Sequence, residues 1–199
     1  MGFLDVVMGR RKLAGQAPDR LFAISTAYVT LESQLGISSS GSAAIVFQPL
    51  SSADFQSIVK ETEEVVRATS SDSGIEVENS DDSYGFRWLV LRGQSFDDLV
   101  VGINAVSGSL ESGGYGDRVL CAVFAFQDGD GRRVYWIYNY KRGSFYPFVP
   151  AAEIGGAAPG GGEGVRDNER ELVLKAQIGA ELPVEPELER WFPLWGIPI

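Results

Sequence analysis

Two apolar segments joined by a glycine-containing turn constrain the fold of this chain more than any other feature. Residues 119–126 and 134–140 are rich in β-branched and aromatic side chains, and they flank the sequence Asp128-Gly129-Asp130-Gly131. Glycine supplies the positive φ angles that tight hairpin turns require. The pattern therefore predicts an antiparallel hairpin, and with it a sheet whose strands arrive in pairs.

Three further regions have the pattern of strands. Residues 75–77 alternate apolar and acidic side chains, a polar turn follows, and residues 84–92 are typical of the returning strand of a second hairpin. Residues 43–47 and 145–148 are short and apolar, and each is bounded by a turn signal. We expect the serine-rich residues 38–42 to form a polar loop before the first strand.

Four segments show the spacing of amphipathic helices. Ser51 with Asp54, and Ser95 with Asp98, resemble capping boxes that satisfy free backbone donors at a helix start. The predicted helices cover residues 19–35, 51–66, 95–110 and 167–179. Hairpins together with separate helices predict an α+β fold, with an antiparallel sheet and the helices packed on one face. This pattern resembles that of the type III secretion chaperones.

The length of the chain indicates one domain. The chain has 199 residues, of which 44% are apolar, and single domains commonly have about 100–200 residues. We expect residues 1–15 to form an N-terminal segment and residues 150–164, rich in alanine, glycine and proline, to form a flexible loop. Too little chain follows that loop for an independent core, so residues 183–199 are expected to pack back on the domain as a tail.

Charge and missing residue types restrict the chemistry. The net charge of −10 repels phosphate backbones, so nucleic acid is not an expected partner. Histidine is absent and Cys121 is the only cysteine, which excludes an internal disulfide and every histidine-based nucleophile pair. We therefore predict a protein that is not an enzyme and has no cofactor or metal. Without a signal peptide or a long apolar stretch, the expected location is cytoplasmic.

One acidic set leaves a chemical alternative open. Five carboxylates fall within the second predicted hairpin, at Asp72, Glu76, Glu78, Asp81 and Asp82. Clustered carboxylates can hold a hard cation or act as an acid/base pair. The simpler interpretation is a solvated edge of the sheet.

The turn that follows the predicted strand at residues 134–140 is a candidate partner-binding site. Lys141 and Arg142 are the strongest basic point of an acidic chain, and aromatic residues including Phe145 and Tyr146 follow them. The planar fork of donors on an arginine can hold an anion or an acidic peptide. The alternative is an exposed hairpin rim beside core aromatics.

Both ends of the chain are further candidates for partner contact. Apolar Phe3 and Leu4 precede basic Arg10 and Arg11, a pattern that suits a protein groove or an anionic membrane surface, with a frayed terminus as the alternative. Near the other end, aromatic and apolar residues can present a binding patch or seal the core. These residues are Trp191, Phe192, Leu194 and Trp195.

Several short segments resemble the PspA-associated protein family PspAB. The matching segments include residues 1–5, 21–23, 82–86, 140–148, 166–168, 182–186 and 190–193. The likeness runs nearly end to end, with the segments in the same order. It implies a cytoplasmic accessory of a bacterial envelope-stress, or phage-shock, response that works beside PspA. No catalytic residues are implied.

The leading hypothesis is therefore a non-enzymatic adaptor that binds a PspA-like or membrane-proximal partner. The alternative is a dimeric, acidic, chaperone-like domain that holds client protein segments. An enzyme that uses carboxylates alone or with a metal is the third hypothesis, and it depends on the acidic set between Asp72 and Asp82.

Overall fold

The computed structural model describes residues 18–69, 74–151 and 164–199. Within them, four α-helices and six β-strands form an α+β fold, which confirms the predicted class. The helices are α1 (Pro18–Ser33), α2 (Ala53–Thr69), α3 (Phe96–Ser112) and α4 (Asn168–Ile178). The strands are β1 (Ser38–Phe47), β2 (Glu76–Asp81), β3 (Arg87–Arg92), β4 (Val119–Gln127), β5 (Arg133–Asn139) and β6 (Ser144–Phe148).

The strands form one antiparallel sheet in the order β2-β3-β1-β4-β5-β6. Both predicted hairpins are confirmed, β2 with β3 and β4 with β5. In the β4–β5 turn, Gly131 has a φ of 76° and the Asp128 carboxylate accepts hydrogen bonds from the backbone amides of Asp130 and Arg132. Local turn chemistry therefore sets this register.

Two local predictions were wrong. The loop predicted at residues 38–42 is the start of β1, because Ser38 and Ser39 pair with Gln127 and Phe126 of β4 before a register shift. Gly41 lies at that shift with a φ of 71°. A bulge accommodates extra residues without ending a strand. A run of serines is typical of a loop, so the sequence did not indicate that these residues pair with β4. At the start of α2, the hydroxyl that accepts from the Phe55 amide belongs to Ser52 and not to Ser51.

The helices pack on one face of the sheet, as predicted. Helix α3 lies centrally, in contact with β1, β3 and β4, and α1 and α2 pack against it. The predicted cap at its start is confirmed, since the Ser95 hydroxyl accepts from the Asp98 amide. At Gly102 the helix approaches β3 so closely that a Cβ atom would lie 2.4 Å from Leu91 Cδ2. No helix among the described residues is long and apolar enough to cross a membrane.

The C-terminal residues cover the opposite face of the sheet. The chain from 183 to 185 lies along the outer edge of β6, where the Phe145 amide donates to the Pro183 carbonyl at 2.8 Å. The following residues cross the face toward β3 and join a second apolar cluster with Val90, Val123 and Ile137. Side chains of the sheet donate to backbone carbonyls along this path, namely Tyr146 to Phe192, Tyr135 to Ile199 and Arg92 to Pro198.

Candidate partner-binding surfaces

The predicted basic site, Lys141 and Arg142, lies in the β5–β6 turn, where a hydrogen bond to Glu185 orients Arg142. Gly143 has a φ of 62°, which lets the chain turn directly after Arg142. The Arg142 Nε donates to Glu185 Oε2 at 3.0 Å, and the Ser144 hydroxyl donates to the same oxygen. Glu185 is only 3% exposed. Burial raises the pKa of its carboxyl, but hydrogen bonds from Arg142, the Glu187 amide and Ser144 outweigh burial and hold that pKa below its ordinary value.

Other cations gather around this turn. The Arg20 guanidinium at the start of α1 donates to the Gly143 carbonyl, and Arg190 lies 3.9 Å from the second Glu185 oxygen. Together with exposed Lys141, these contacts define the basic corner, which comprises Arg20, Lys141, Arg142 and Arg190. Glu185 and Glu187 are the carboxylates paired with it in the described part of the chain. The corner is a local positive area on a protein whose net charge is −10.

The aromatic residues beside the turn belong to the core. Phe145 is fully buried on the helix side of the sheet, with its ring 4.8 Å from that of Tyr138. Tyr146 is 4% exposed on the other side, stacked on Trp191. The structure therefore brings Lys141 and Arg142 to the surface and keeps Phe145 and Tyr146 inside it, so only the cations are available to a partner.

The two C-terminal tryptophans also hold the fold. Trp191 is 4% exposed, and its indole N–H donates to the Glu185 carbonyl at 3.0 Å. The Trp195 ring meets the Phe148 ring edge-on at 5.0 Å and is partly buried. Phe192 is the exposed aromatic of the group, at 60%. Of the aromatic patch predicted near this end, Phe192 and part of Trp195 face solvent.

A buried ion pair fastens the same region, and sequence reasoning missed it. Arg166 makes two hydrogen bonds to the Glu171 carboxylate, at 3.1 and 2.6 Å, and a third to the Trp191 carbonyl at 2.6 Å. Burial raises the pKa of Glu171, while hydrogen bonds from Arg166 and the Val149 amide oppose that shift. Glutamate usually lies on the surface unless it is paired, so nothing local in the sequence signalled this pair.

A groove between α2 and α3 is the second feature that the sequence did not reveal. It has a volume of about 530 Å³. Helix α2 contributes Ile58, Thr62 and Val65 to its walls, and α3 contributes Ala105, Gly108 and Ser112. We call it the α2–α3 groove. The sequence of each helix predicted only its buried apolar face. The groove could not be predicted because it depends on how the two helices pack against each other.

The acidic set of the β2–β3 hairpin is engaged in local contacts. Asp81 forms two hydrogen bonds with the Arg87 guanidinium, and these lower its pKa. The Asp82 carboxylate accepts from two turn amides and from the Trp88 indole. Glu78 lies 3.8 Å from Arg92. Among the described residues, no group of three or more histidine, cysteine, aspartate or glutamate side chains is arranged to hold a metal ion.

Several predicted residues lie outside the described ranges. They are the N-terminal candidates Phe3, Leu4, Arg10 and Arg11, the carboxylate of Asp72, and most of the predicted loop at residues 150–164. Partner or membrane contact through the N-terminus therefore stays a prediction.

The fold and these surfaces define a class of protein: a six-stranded α+β domain with a C-terminal cover on one face and helices on the other. The model of the PspAB family, described as PspA associated protein B, matches residues 1–199, so the chain belongs to that family. The resemblance inferred from short segments is thereby confirmed over the whole length. Comparisons with curated proteins and with solved structures give no match.

Proposed function

We propose that this PspAB-family protein is a non-enzymatic, cytoplasmic accessory of an envelope-stress response that binds a PspA-like or membrane-proximal partner. Membership of a family described as PspA associated is the observation that carries the proposal. The basic corner supports it as the contact surface. A local area of positive charge on an acidic protein attracts an acidic partner segment, whereas the carboxylates elsewhere on the described surface repel that segment.

The residues of the corner differ in what they contribute. Lys141 is exposed, and no hydrogen bond from its ammonium group to another described residue is present. The Arg142 Nε donates a hydrogen bond to Glu185. This bond orients the guanidinium and leaves its outer edge exposed. We expect Lys141 to supply most of the charge that a partner meets and Arg142 to supply directional hydrogen bonds.

The test is capture of PspA by the tagged, full-length protein from cells under envelope stress, followed by binding of purified PspA. Lys141→Glu is expected to reduce recovery several-fold, and Lys141→Arg to preserve it. Lys60→Glu is the matched control, since Lys60 is an exposed lysine on α2 and changes the net charge equally. Failure of the unmodified protein to enrich PspA would refute the proposed partner. Equal losses with both glutamate variants would assign the effect to net charge and not to the corner.

The α2–α3 groove favours a second candidate function, a chaperone-like domain that holds client segments, for which the predicted arrangement is a homodimer. Multi-angle light scattering of the full-length protein tests the dimer. A strict monomer at concentrations up to about 100 µM would contradict it.

A further inference from the structure

The two edges of the six-stranded sheet differ in how their backbone groups are paired. At the β6 edge, the Phe145 amide donates to the Pro183 carbonyl at 2.8 Å, and the Glu185 amide donates to the Phe145 carbonyl at 2.7 Å. At the opposite edge, β2 pairs with β3 alone within the described residues. An edge strand presents a row of backbone donors and acceptors that can pair with another strand. The sheet can therefore be extended at β2.

Two hydrogen bonds of the neighbouring strands show which backbone groups of β2 point away from the sheet. The Asp82 amide donates to the Phe86 carbonyl across the β2–β3 turn, and the Gly93 amide, directly after β3, donates to the Gly41 carbonyl of β1. Successive residues of a strand point their backbone groups to opposite sides. Both bonds give the same result when they are followed along the β2–β3 register. The β2 residues whose amides and carbonyls point outward are Val77, Asn79 and Asp81.

Most of these outward groups are open to a partner. The Val77 carbonyl accepts a hydrogen bond from the Arg67 guanidinium of α2 at 3.3 Å. The three outward amides, and the carbonyls of Asn79 and Asp81, form no hydrogen bond with another described residue. In an antiparallel pair, such a residue exchanges two backbone hydrogen bonds with the residue opposite it. The edge therefore offers directional bonds to an extended segment.

The side chains of β2 indicate which segment fits. Glu76 and Glu78 are exposed on the face of the sheet that carries the C-terminal cover, and Glu78 lies 3.8 Å from Arg92 on that face. Val77 points to the helix face, where it packs against the core. Side chains directly opposite each other in an antiparallel pair attract when their charges are opposite and repel when they are alike. Lysine or arginine opposite both glutamates, with an apolar residue opposite Val77, matches this pattern.

A second copy of this chain does not match the edge. Antiparallel pairing of two β2 strands would bring Glu76 and Glu78 of both copies together on one face of the joined sheet. Like charges there oppose pairing, and charged side chains are a common means by which edge strands avoid self-association. The charge of the edge therefore favours a basic strand from a different protein.

We infer that the open edge of β2 binds an extended segment of another protein, which adds to the sheet as an antiparallel strand and carries lysine or arginine at alternate positions. The inference goes beyond the proposed function, because the basic corner attracts an acidic segment and lies at the other end of the strand order. No residue of β2 belongs to the basic corner or lines the α2–α3 groove. The surfaces can therefore be tested separately.

The probe is a labelled synthetic peptide of about nine residues, the length of a long strand, in which lysine and valine alternate. Fluorescence anisotropy measures its affinity for the full-length protein at about 0.15 M salt, where distant charges are screened. A peptide with glutamate in place of lysine is the charge reference. We expect it to bind at least about tenfold more weakly.

Backbone methylation of the peptide distinguishes strand addition from attraction between charges. In the antiparallel arrangement the valine amides face β2 and the lysine amides face away from it. A peptide methylated on the valine nitrogens should therefore bind at least about tenfold more weakly, and one methylated on the lysine nitrogens should retain most of the affinity. Both peptides carry the charge of the parent.

Matched variants of the protein locate the binding. Asn79→Pro removes an outward amide but keeps the β2–β3 ladder, because an edge strand tolerates proline where its nitrogen faces solvent. It should weaken the lysine–valine peptide at least about tenfold, whereas Asn79→Thr keeps the amide and should bind normally. Changing Glu76 and Glu78 together to lysine should reverse the preference toward the glutamate peptide. The same change at exposed Glu169 and Glu189, outside the edge, should not reverse it. Far-ultraviolet circular dichroism and thermal melts confirm that each variant is folded.

The outcomes separate this inference from the proposed function. No binding of the lysine–valine peptide, equal binding of the two methylated peptides, or equal binding by Asn79→Pro and Asn79→Thr would overturn the inference. A preference that changes equally in both double variants would overturn the charge match. If the peptide binds at β2 while PspA is never captured, the inference holds and the proposed partner fails. If PspA is captured and the peptide does not bind, the proposed partner stands and the inference fails.

Discussion

Trp191→Ala is expected to be among the most destabilising substitutions of the C-terminal cover. The side chain is 4% exposed, stacks on Tyr146 and donates its indole N–H to the Glu185 carbonyl. Its ring also lies beneath the Lys175 ammonium at 5.5 Å. Truncating a buried tryptophan to alanine typically costs about 3–5 kcal/mol. Since domains of this kind are stable by about 5–15 kcal/mol, the loss would be a large fraction of the total.

A second substitution at the same position separates packing from hydrogen bonding. Trp191→Phe keeps most of the stacked ring but leaves the Glu185 carbonyl without its donor, which should cost about 1–3 kcal/mol. Phe192→Ala is the neighbouring control, because Phe192 is 60% exposed and such positions usually change stability by less than about 0.5 kcal/mol.

Urea unfolding at equilibrium, followed by far-ultraviolet circular dichroism, measures all three variants. The expected order of unfolding free energies is Phe192→Ala above Trp191→Phe above Trp191→Ala. If Trp191→Ala lowered the unfolding free energy no more than Phe192→Ala does, the cover would not contribute to the core of the sheet, and our account of the second face would be refuted.

Three further predictions concern single residues. Because the folded pKa of Glu185 lies below its ordinary value, the stabilising effect of this carboxylate is complete above the unfolded pKa and is lost as pH falls through the folded pKa. The difference in unfolding free energy between the protein and Glu185→Gln should therefore shrink between about pH 6 and pH 3. Burial raises the pKa of Cys121 to about 12. The native thiol should therefore react with a disulfide reagent at pH 8 about 10–10²-fold more slowly than a free cysteine, because the smaller thiolate fraction outweighs the higher nucleophilicity of that thiolate. After unfolding in urea it should react at the rate of a free cysteine. Gly108→Ala should raise the unfolding free energy by about 1 kcal/mol through helix propensity, whereas Gly102→Ala should lower it by about 1–3 kcal/mol because its Cβ overlaps Leu91. A melting temperature lowered by Gly108→Ala, or raised by Gly102→Ala, would contradict the corresponding assignment.

Most predictions that depended on neighbours in the chain were confirmed, although the capping hydroxyl of α2 belongs to Ser52 and not to Ser51. The β4–β5 hairpin follows from turn residues within one short segment, and the cap of α3 follows from Ser95 and an amide three residues later. Such contacts form wherever the local backbone takes the required shape. The start of β1 was misjudged because Ser38 and Ser39 become strand by pairing with β4, some 90 residues away along the chain.

The candidate binding surfaces depend more than the secondary structure does on contacts between residues far apart in the chain. The sequence predicted Lys141 and Arg142 at a turn. The other two cations of the basic corner, Arg20 and Arg190, belong to α1 and to the C-terminal residues. The pattern around the turn left Phe145 and Tyr146 open as binding residues or core residues. Strand alternation buries both, since one faces the helices and the other faces the C-terminal cover.

The sequence by itself determined the α+β class, the two hairpins, the family and the exclusion of histidine chemistry, because each of these depends on residue identity and local spacing. Tertiary structure decided the strand order, the burial of Glu171 and Trp191, the assembly of the basic corner and the opening of the α2–α3 groove. These features arise where segments far apart in the chain meet, and their energies depend on packing and desolvation that no single segment experiences alone.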